Sequence, residues 1–520
     1  MAEILASHYL AAFEAAPEAD DAQAIRAKAR EMLARAGERA GSLGAPQEGR
    51  RYYQQAATHA DDPVVEAELL EQASRLALQA NEQVEAREQG ERALALYSEA
   101  GDARAAARAS AVLADVDVGD GRLEEAAARL EQVVAELEQG KPSGELAAAL
   151  AQLGRMRSLA GHNEAASVPL EKALTLAERL QLTEVFVQAL NTKAVVLLNQ
   201  GRMAEARILL EASASRARAE QLYATELRAY NNLGAVLEAS DRYAEVLDLI
   251  ERSLLIALRR GNRRMQSILR TGSLGSLSFL GRWDEALAVA AEEEPTASSD
   301  LVRGQILVVA SIHCERGDLD AARALVVASD TLRDSDNWQL RAGFAAEEAR
   351  LLRAQGRPDE ALATAERALV AVGELTITDT GVKATLVEAI EAALAVADLE
   401  KAEELLTIPE SLDAGELTPF LRANTDRLRA RFDAARGNHE RVEERFRTAA
   451  SLFREFGLVF YVAVTQLEHA EWLISQRRAD DAEPLLAEAR QTFEQLQATP
   501  CLERTARAVA ARGEAETAIS

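Results

Sequence analysis

The stretch AYNNLGAVLEASDRYAEV, residues 229–246, carries the pattern that decides the fold. Leu233 and Gly234 stand side by side shortly before a tight turn, and Tyr243 follows that turn. Glu245 then falls in the first turn of a second helix, where its charge suits the positive end of the helix dipole. A small residue such as Gly234 lets two antiparallel helices approach closely. The stretch therefore predicts a helical hairpin.

The turn of this hairpin recurs along the chain. Five copies follow one another at a spacing of 40 residues: GRLEEA at 121–126, GHNEAA at 161–166, GRMAEA at 201–206, DRYAEV at 241–246 and GRWDEA at 281–286. Other copies begin at Gly44, Asn81, Gly317, Gly356, Ala397, Gly437 and Arg477. A glycine at such a turn ends the first helix in a left-handed conformation that other residues resist. About twelve hairpins are predicted.

Aligning the copies on the turn reveals two columns of mostly small residues. Seven residues before the turn stand Gly37, Ser74, Ala114, Gly154, Ala194, Gly234, Leu274, Ala310, Ala349, Ile390, Ala430 and Ala470. Five residues after it stand Gly49, Ala86, Ala126, Ala166, Ala206, Val246, Ala286, Ala322, Ala361, Ala402, Val442 and Ala482. We interpret the two columns as the places where the helices of a hairpin meet. Leucine at Ala194 or Gly234 is expected to force two helices apart.

Composition and charge narrow the class of protein. Aromatic residues make up 4% of the 520 residues and proline only 11 positions, which favours helices over a β-rich fold. The chain has 59 lysines and arginines against 85 aspartates and glutamates, a net charge of −26. Such a field repels nucleic acid and anionic membranes, so neither is an expected partner. The chain has no signal peptide at its start and no apolar run of membrane-spanning length, so we expect a cytoplasmic protein.

Motifs for chemistry are missing from the sequence. Gly140-Lys141 is followed by Pro142 and lacks the other residues of a phosphate-binding loop, so no ATPase activity is expected in this chain. The run DVDVGDG at 115–121 departs from a calcium loop at its sixth and twelfth positions. The six histidines are scattered and the two cysteines lie far apart. We therefore expect no catalytic residues, no metal and no cofactor.

These features resemble a tetratricopeptide-repeat array, and the period near 40 is similar to the longer-helix variety in the C-terminal halves of bacterial signal-transduction ATPases. Residues 5–40, LASHYLAAFEAAPEADDAQAIRAKAREMLARAGERA, are similar to the segment after the ATPase module in actinobacterial proteins that join a cyclase domain, an AAA-type ATPase and a helical tail. The resemblance implies an all-α, right-handed superhelical solenoid. It also implies that this chain is the tail of such a system, as a fragment or as a free-standing relative.

The same resemblance suggests a binding face. In tetratricopeptide arrays the first helices line the concave side, and positions three before and one after the first small column point inward. Asn191 and Asn231 then occupy equivalent places in neighbouring hairpins, and Arg155, Arg350 and Arg431 share the other column. Asparagine can pair with the backbone of an extended peptide, and arginine can hold its carboxylates. Ordinary solvated surface is the alternative interpretation.

A second candidate is a cluster of arginines within this acidic chain. Arg259, Arg260, Arg263 and Arg264 surround Gly261-Asn262, with Arg252 and Arg270 nearby. An acidic partner, such as another domain of the same system, would explain Arg263 and Arg264. A loop that carries solvated arginines would explain them equally well.

The sequence thus predicts a non-catalytic scaffold that binds a protein, a peptide or a small effector, as a regulatory module of a bacterial signal-transduction system. The alternative is a fragment or subunit of a nucleotide-using enzyme, a cyclase or AAA ATPase, whose catalytic domains lie outside this chain. AEEEPTASSD at 291–300 interrupts the helical pattern. We therefore divide the repeats into residues 1–290 and 301–520, with a loop near 291–300.

Overall fold

The computed structural model describes residues 2–293, 299–372, 377–413 and 415–517. In these ranges the chain forms helices and no strand. The first helices of the hairpins are α2 (Ala22–Ser42), α4 (Pro63–Gln79), α6 (Ala103–Asp120), α8 (Gly144–Leu159), α10 (Thr183–Asn199), α12 (Tyr223–Ala239), α14 (Arg263–Phe279), α16 (Asp300–Leu307) with α17 (Val309–Arg316), α19 (Trp338–Ala354), α21 (Thr380–Ala395), α23 (Pro419–Ala435) and α25 (Val459–Ser475).

Each first helix is followed by a partner that runs back along it. The second helices are α3 (Pro46–Thr58), α5 (Gln83–Glu99), α7 (Leu123–Leu137), α9 (Asn163–Arg179), α11 (Met203–Ala219), α13 (Tyr243–Arg259), α15 (Trp283–Ala291), α18 (Leu319–Ala328), α20 (Pro358–Val372), α22 (Leu399–Glu410), α24 (Val442–Glu455) and α26 (Ala479–Leu496). Helix α1 (Ala2–Ala15) precedes the hairpins, α27 (Thr499–Thr517) follows them, and a 3-10 helix spans Asp330–Asp334. The predicted all-α repeat of about twelve hairpins is confirmed over the described residues.

The turns inside the hairpins all use the left-handed backbone region. The residue that anchors each turn has a positive φ, from 58° at Ala397 to 91° at Gly161. Eight anchors are glycines, and the other four are Asn81, Asp241, Ala397 and Arg477. Left-handed backbone ends a helix and aims the chain back along it, so the turn sets the hairpin geometry.

Side-chain caps mark where many helices begin. The carboxylate of Asp102 accepts a hydrogen bond from the Ala105 N–H at 3.0 Å, and that of Asp398 accepts from the Lys401 N–H at 2.9 Å. These bonds satisfy N–H groups that have no partner inside the helix. These caps thereby fix the residues at which α6 and α22 begin.

Both small columns lie where the sequence predicts them. All of their members are buried. A Cβ at Gly154 would lie 3.2 Å from the main-chain oxygen of Ala166, and the Ser74 hydroxyl donates to the main-chain oxygen of Ala86 at 2.6 Å. The two columns therefore meet inside each hairpin. Gly234 is different, because a Cβ there meets no atom within 4 Å, and the separation of two helices by leucine at that position stays a prediction.

The chain divides into two compact units. Unit 1 comprises Met1–Leu197, Ala204–Leu233 and Glu251–Arg270, and unit 2 comprises Leu198–Met203, Gly234–Ile250 and Thr271–Ser520. The division at 291–300 stays a prediction, and residues 294–298 of that segment lie outside the described residues.

Unit 1 brings sequence-distant repeats together. Its apolar core includes the buried side chains of Leu33, Leu130 and Met156. The turn at Gly44 lies against the turn at Gly261, where a Cβ would overlap the Gly44 main-chain oxygen. Repeats far apart along the chain therefore contact each other in this unit.

Unit 2 contains a buried ion pair that joins distant hairpins. The Lys383 ammonium lies 2.5 Å from the Asp241 carboxylate, and the two residues are 1% and 0% exposed. Asp241 also accepts a hydrogen bond from the Phe420 N–H at 2.6 Å and one from the Tyr243 hydroxyl at 3.1 Å. Because these donors satisfy its oxygens, the buried carboxylate is stabilised and fixes α21 and α23 against the turn at Asp241.

Candidate binding surfaces

The three arginines of the predicted inner column lie beside carboxylates of neighbouring first helices. Arg155 on α8 pairs with Asp115 on α6. Arg350 Nε lies 3.0 Å from Glu388 Oε1 on α21. Arg431, also predicted to hold a ligand, pairs with Glu391 on the same α21. The carboxylates that these arginines hold thus belong to the chain itself, and their predicted role toward a ligand stays a prediction.

In unit 2 this pairing extends to a network on the first helices and α27. Every arginine in it has at least one carboxylate partner. Besides the pairs above, it contains Arg353–Glu388 (2.8 Å), Arg427–Glu468 (3.0 Å), Arg431–Glu468 (3.2 Å) and Arg504–Glu471 (2.5 Å), together with the contact between Arg427 and Glu391.

Glu347 lies beside this network without such a partner. Its side chain is buried, and among the described residues its Oε2 atom has no hydrogen-bond partner. Burial raises the pKa of Glu347 to about 8, although the charge of Arg350 opposes that shift. The carboxyl group is therefore mostly protonated at neutral pH.

Unit 1 has a different balance of charge on its first helices. Arg264 Nη2 donates to the main-chain oxygen of Asp115 at 3.2 Å, and Arg228 Nη2 donates to the main-chain oxygen of Gln188 at 3.1 Å. In the described part of the chain, neither guanidinium forms a salt bridge. Burial, and then the like charge of Arg155, lowers the pKa of Arg228 to about 9. Burial opposes ionisation of Asp115, but Arg155, Arg264 and Arg228 together lower the pKa of its carboxyl group.

The two predicted asparagines do not form a matched pair. Asn191 is fully buried, and its Oδ1 accepts a hydrogen bond from Asn232 Nδ2 at 2.6 Å. Asn231, which directly precedes Asn232, is partly exposed. A ligand would reach Asn191 only if α10 and α12 moved apart, so its predicted role has no accessible surface in this arrangement.

The structure separates the arginines of the predicted cluster. The exposed arginines are Arg252 in the middle of α13, Arg259 and Arg260 at its C-terminal end, and Arg263 at the start of α14. We call these four residues the arginine patch. Arg260 stacks on the Tyr223 ring at 3.5 Å. Arg264 instead is partly buried next to Asp115, so Arg263 and Arg264 have different surroundings.

Other chemical features of the described residues are few. They contain no group of three or more histidine, cysteine or acidic side chains that could hold a metal ion. Cys314 is buried, and burial raises the pKa of its thiol to about 12, far from that of a reactive cysteine. Among these residues, no helix combines the length and apolar character that a bilayer crossing requires.

Comparison with solved structures identifies the fold. The chain aligns with the crystal structure of the APC/C hetero-tetramer Cut9-Hcn1 at a TM-score of 0.50 and 12% identity, over 94% of this chain and 96% of that one. A Rap protein complexed with competence and sporulation factor has a TM-score of 0.38 at 12% identity, covering 75% of this chain and 98% of its own. The human IFIT1 dimer with m7Gppp-AAAA has 0.43 at 13%, covering 77% and 90%.

These three proteins contain tetratricopeptide repeats, and the likeness to Cut9 shows that this chain has the fold of a tetratricopeptide-type solenoid. At 12% identity it shows the fold alone. No protein-family model matches the sequence, and no curated protein matches it either.

Proposed function

We propose that this chain is a non-catalytic scaffold that binds an acidic segment of a partner protein through the arginine patch. The observation that carries the proposal is the state of those four side chains. They are exposed in a chain of net charge −26, and among the described residues none of them forms a salt bridge. An acidic segment would supply the carboxylates that the chain does not provide there.

The contrast with two exposed arginines of a neighbouring helix supports this interpretation. Arg207 on α11 lies 2.8 Å from Glu211, and Arg216 lies 3.0 Å from Glu220, each within a helical turn of its partner. Their charges are already balanced along one helix. The patch lacks that balance, which favours recognition of an outside carboxylate over solvation of a charged helix.

The biological setting rests on the sequence resemblance of residues 5–40. It supports a regulatory module of a bacterial signal-transduction system, located in the cytoplasm, and its proposed partner is a cyclase or ATPase domain of the same system. The alternative is that the chain is a part of such a nucleotide-using enzyme, with catalytic domains elsewhere.

Affinity capture tests the proposed function. The full chain is immobilised, bound proteins from a bacterial lysate are identified by mass spectrometry, and each identified protein is purified and retested. We expect a partner with an acidic segment, captured by the wild type and by the control Arg207→Ala/Arg216→Ala but reduced in Arg259→Ala/Arg263→Ala. Equal capture of the purified partner by both variants would contradict a role for the patch.

A further inference from the structure

Three arginines on the first helices of unit 1 form a cluster with an excess of positive charge. Arg155, Arg228 and Arg264 lie around Asp115, whose carboxylate pairs with Arg155 alone. Three guanidinium groups therefore face one carboxylate. In the network of unit 2, by contrast, every arginine has a carboxylate partner.

The cluster converges from four first helices. Asp115 on α6 contacts Arg155 of α8 through its carboxylate and Arg264 of α14 through its main-chain oxygen. Arg228 of α12 influences the same carboxylate electrostatically. Residues up to 149 positions apart thus meet at Asp115. The fold of the unit, and not local sequence, creates this accumulation of charge.

Nearby carboxylates do not neutralise the excess. The negative charge of Asp120 raises the pKa of Arg264 without direct contact. The Asp120 carboxylate already accepts hydrogen bonds from Arg87 at 2.7 Å and from Arg122 at 3.1 Å. The negative charge of Glu184 likewise raises the pKa of Arg228. Glu184 forms no salt bridge with Arg228 among the described residues.

The cluster carries unused hydrogen-bonding capacity and is open to water. The Nε atom of Arg264 is buried and has no hydrogen-bond partner within the described residues. The Asp115 side chain is 34% exposed and that of Arg155 is 15% exposed. A dissolved ion can therefore approach Asp115 and Arg155 from the solvent.

We propose that Arg155, Arg228 and Arg264 bind the phosphate group of a small anion. A phosphate dianion matches the two excess positive charges, and its oxygens accept from several guanidinium donors at once. Arg264 of α14 bonds directly to the main chain of α6, and this close contact between the two helices favours a compact anion over a polymer chain. The inference is independent of the proposed function, which concerns the arginine patch.

Supporting evidence comes from the cost of holding these charges together. Burial and the neighbouring Arg155 lower the pKa of Arg228 to about 9, and burial also lowers the pKa of Arg264. Like charges that are held close and outnumber their counter-ions destabilise the folded state. A bound dianion would remove that repulsion, so phosphate should stabilise the protein as well as bind to it.

Isothermal titration of the full chain tests this site, with inorganic phosphate as the first ligand and ATP as the second. We expect saturable binding of phosphate at one site per chain and a rise in the thermal unfolding midpoint. ATP that binds more tightly than phosphate would indicate a nucleotide as the source of the phosphate group, and equal or weaker binding would indicate the free ion. Absence of saturable binding by both at millimolar concentration would overturn the proposal.

Matched variants assign the binding to the cluster. Arg228→Gln should weaken phosphate binding by about tenfold or more, because it removes one charged donor. Arg179→Gln, which removes an exposed arginine elsewhere in unit 1, should leave binding unchanged. Equal binding by Arg228→Gln and Arg179→Gln would overturn the assignment.

A third variant should change the affinity for phosphate in the opposite direction. Asp115→Asn removes the one carboxylate that competes with the anion, so it should tighten phosphate binding while lowering stability without phosphate. If Asp115→Asn does not fold, Arg264→Gln replaces it and should weaken binding as Arg228→Gln does. Weaker binding by folded Asp115→Asn, or unchanged binding by Arg264→Gln, would contradict the site.

Discussion

Single residues with left-handed backbone define the turns of this repeat. At Gly356 a Cβ would meet no atom within 4 Å, so nothing but the backbone conformation, with a φ of 74°, opposes a side chain. Gly234 has the same open space but lies inside helix α12. The two glycines therefore separate the effect of backbone conformation from that of packing.

We predict opposite effects of alanine at these two positions. Gly356→Ala should lower the free energy of unfolding by about 1 kcal/mol, because a left-handed conformation is unfavourable for a residue with a Cβ. Gly234→Ala should raise it by up to about 1 kcal/mol, because alanine is the better helix former. Urea unfolding followed by circular dichroism measures both. Effects of the same sign would contradict the assigned roles.

The buried carboxyl group of Glu347 predicts a dependence of stability on pH. The pKa of Glu347 is about 8 in the folded protein, whereas the ordinary pKa of a glutamate side chain is 4.5. Between these values the folded state holds a proton that the unfolded state has lost, so the contribution of Glu347 to stability falls as pH rises from 4.5 to 8. Above this window the loss is complete.

Glu347→Gln removes this titration and tests it. The variant should gain stability relative to the wild type as pH rises through the window, by roughly 4–5 kcal/mol at its upper end, since each pKa unit corresponds to about 1.4 kcal/mol. Thermal unfolding midpoints at a series of pH values measure the difference. A difference that does not change with pH would contradict the raised pKa.

The residues also show what the sequence could predict about the sites. Asp115 and Arg155 occupy the same aligned position in successive hairpins, and so do Glu391 and Arg431. Their ion pairs were therefore accessible from the alignment. The place of Arg228 near Asp115 could not be predicted from the alignment, because it depends on a surface assembled from hairpins that are distant in sequence. Lys383 and Asp241, 142 residues apart, were missed for the same reason.

At the scale of the helix, the hairpin register follows from the two small columns. The column residues could be predicted because close helix packing imposes the same steric demand in every repeat. Gly154 illustrates it, since a Cβ there would lie 2.5 Å from the Leu170 side chain. The alignment could not show that Gly234 has free space, because local packing varies between repeats with the same residue type.

Leucine substitutions in the first column test this register. Gly154→Leu should lower the free energy of unfolding by roughly 1–3 kcal/mol, because the added side chain overlaps Leu170 and approaches the main chain at Ala166. Gly234→Leu, in the same column but without a neighbour within 4 Å of its Cβ, should cost less. Chemical unfolding of the two variants gives the comparison. A larger loss for Gly234→Leu would mean that the columns do not mark the closest approach.

At the scale of the whole molecule, the distribution of charge says more than its sum. The net charge of −26 predicts repulsion of anions, and the exclusion of nucleic acid stays a prediction on that ground. Yet three groups of arginines lie in distinct environments: the network of unit 2 is paired with carboxylates, the cluster around Asp115 in unit 1 has an excess of positive charge, and the arginine patch is exposed. The overall repeat could be predicted from the 40-residue period, whereas these environments required the folded arrangement.

Binding of an acidic peptide to the arginine patch tests the central claim most directly. The measurement is the dissociation constant of a fluorescently labelled, glutamate-rich peptide, obtained by anisotropy with the full chain, Arg259→Ala/Arg263→Ala and Arg207→Ala/Arg216→Ala. We predict saturable binding that weakens from about 50 mM to about 300 mM salt, because salt screens exposed charges. The patch variant should bind about tenfold more weakly, whereas the control variant should match the wild type. Equal affinity of all three proteins, or no saturable binding by the wild type at low salt, would contradict the account.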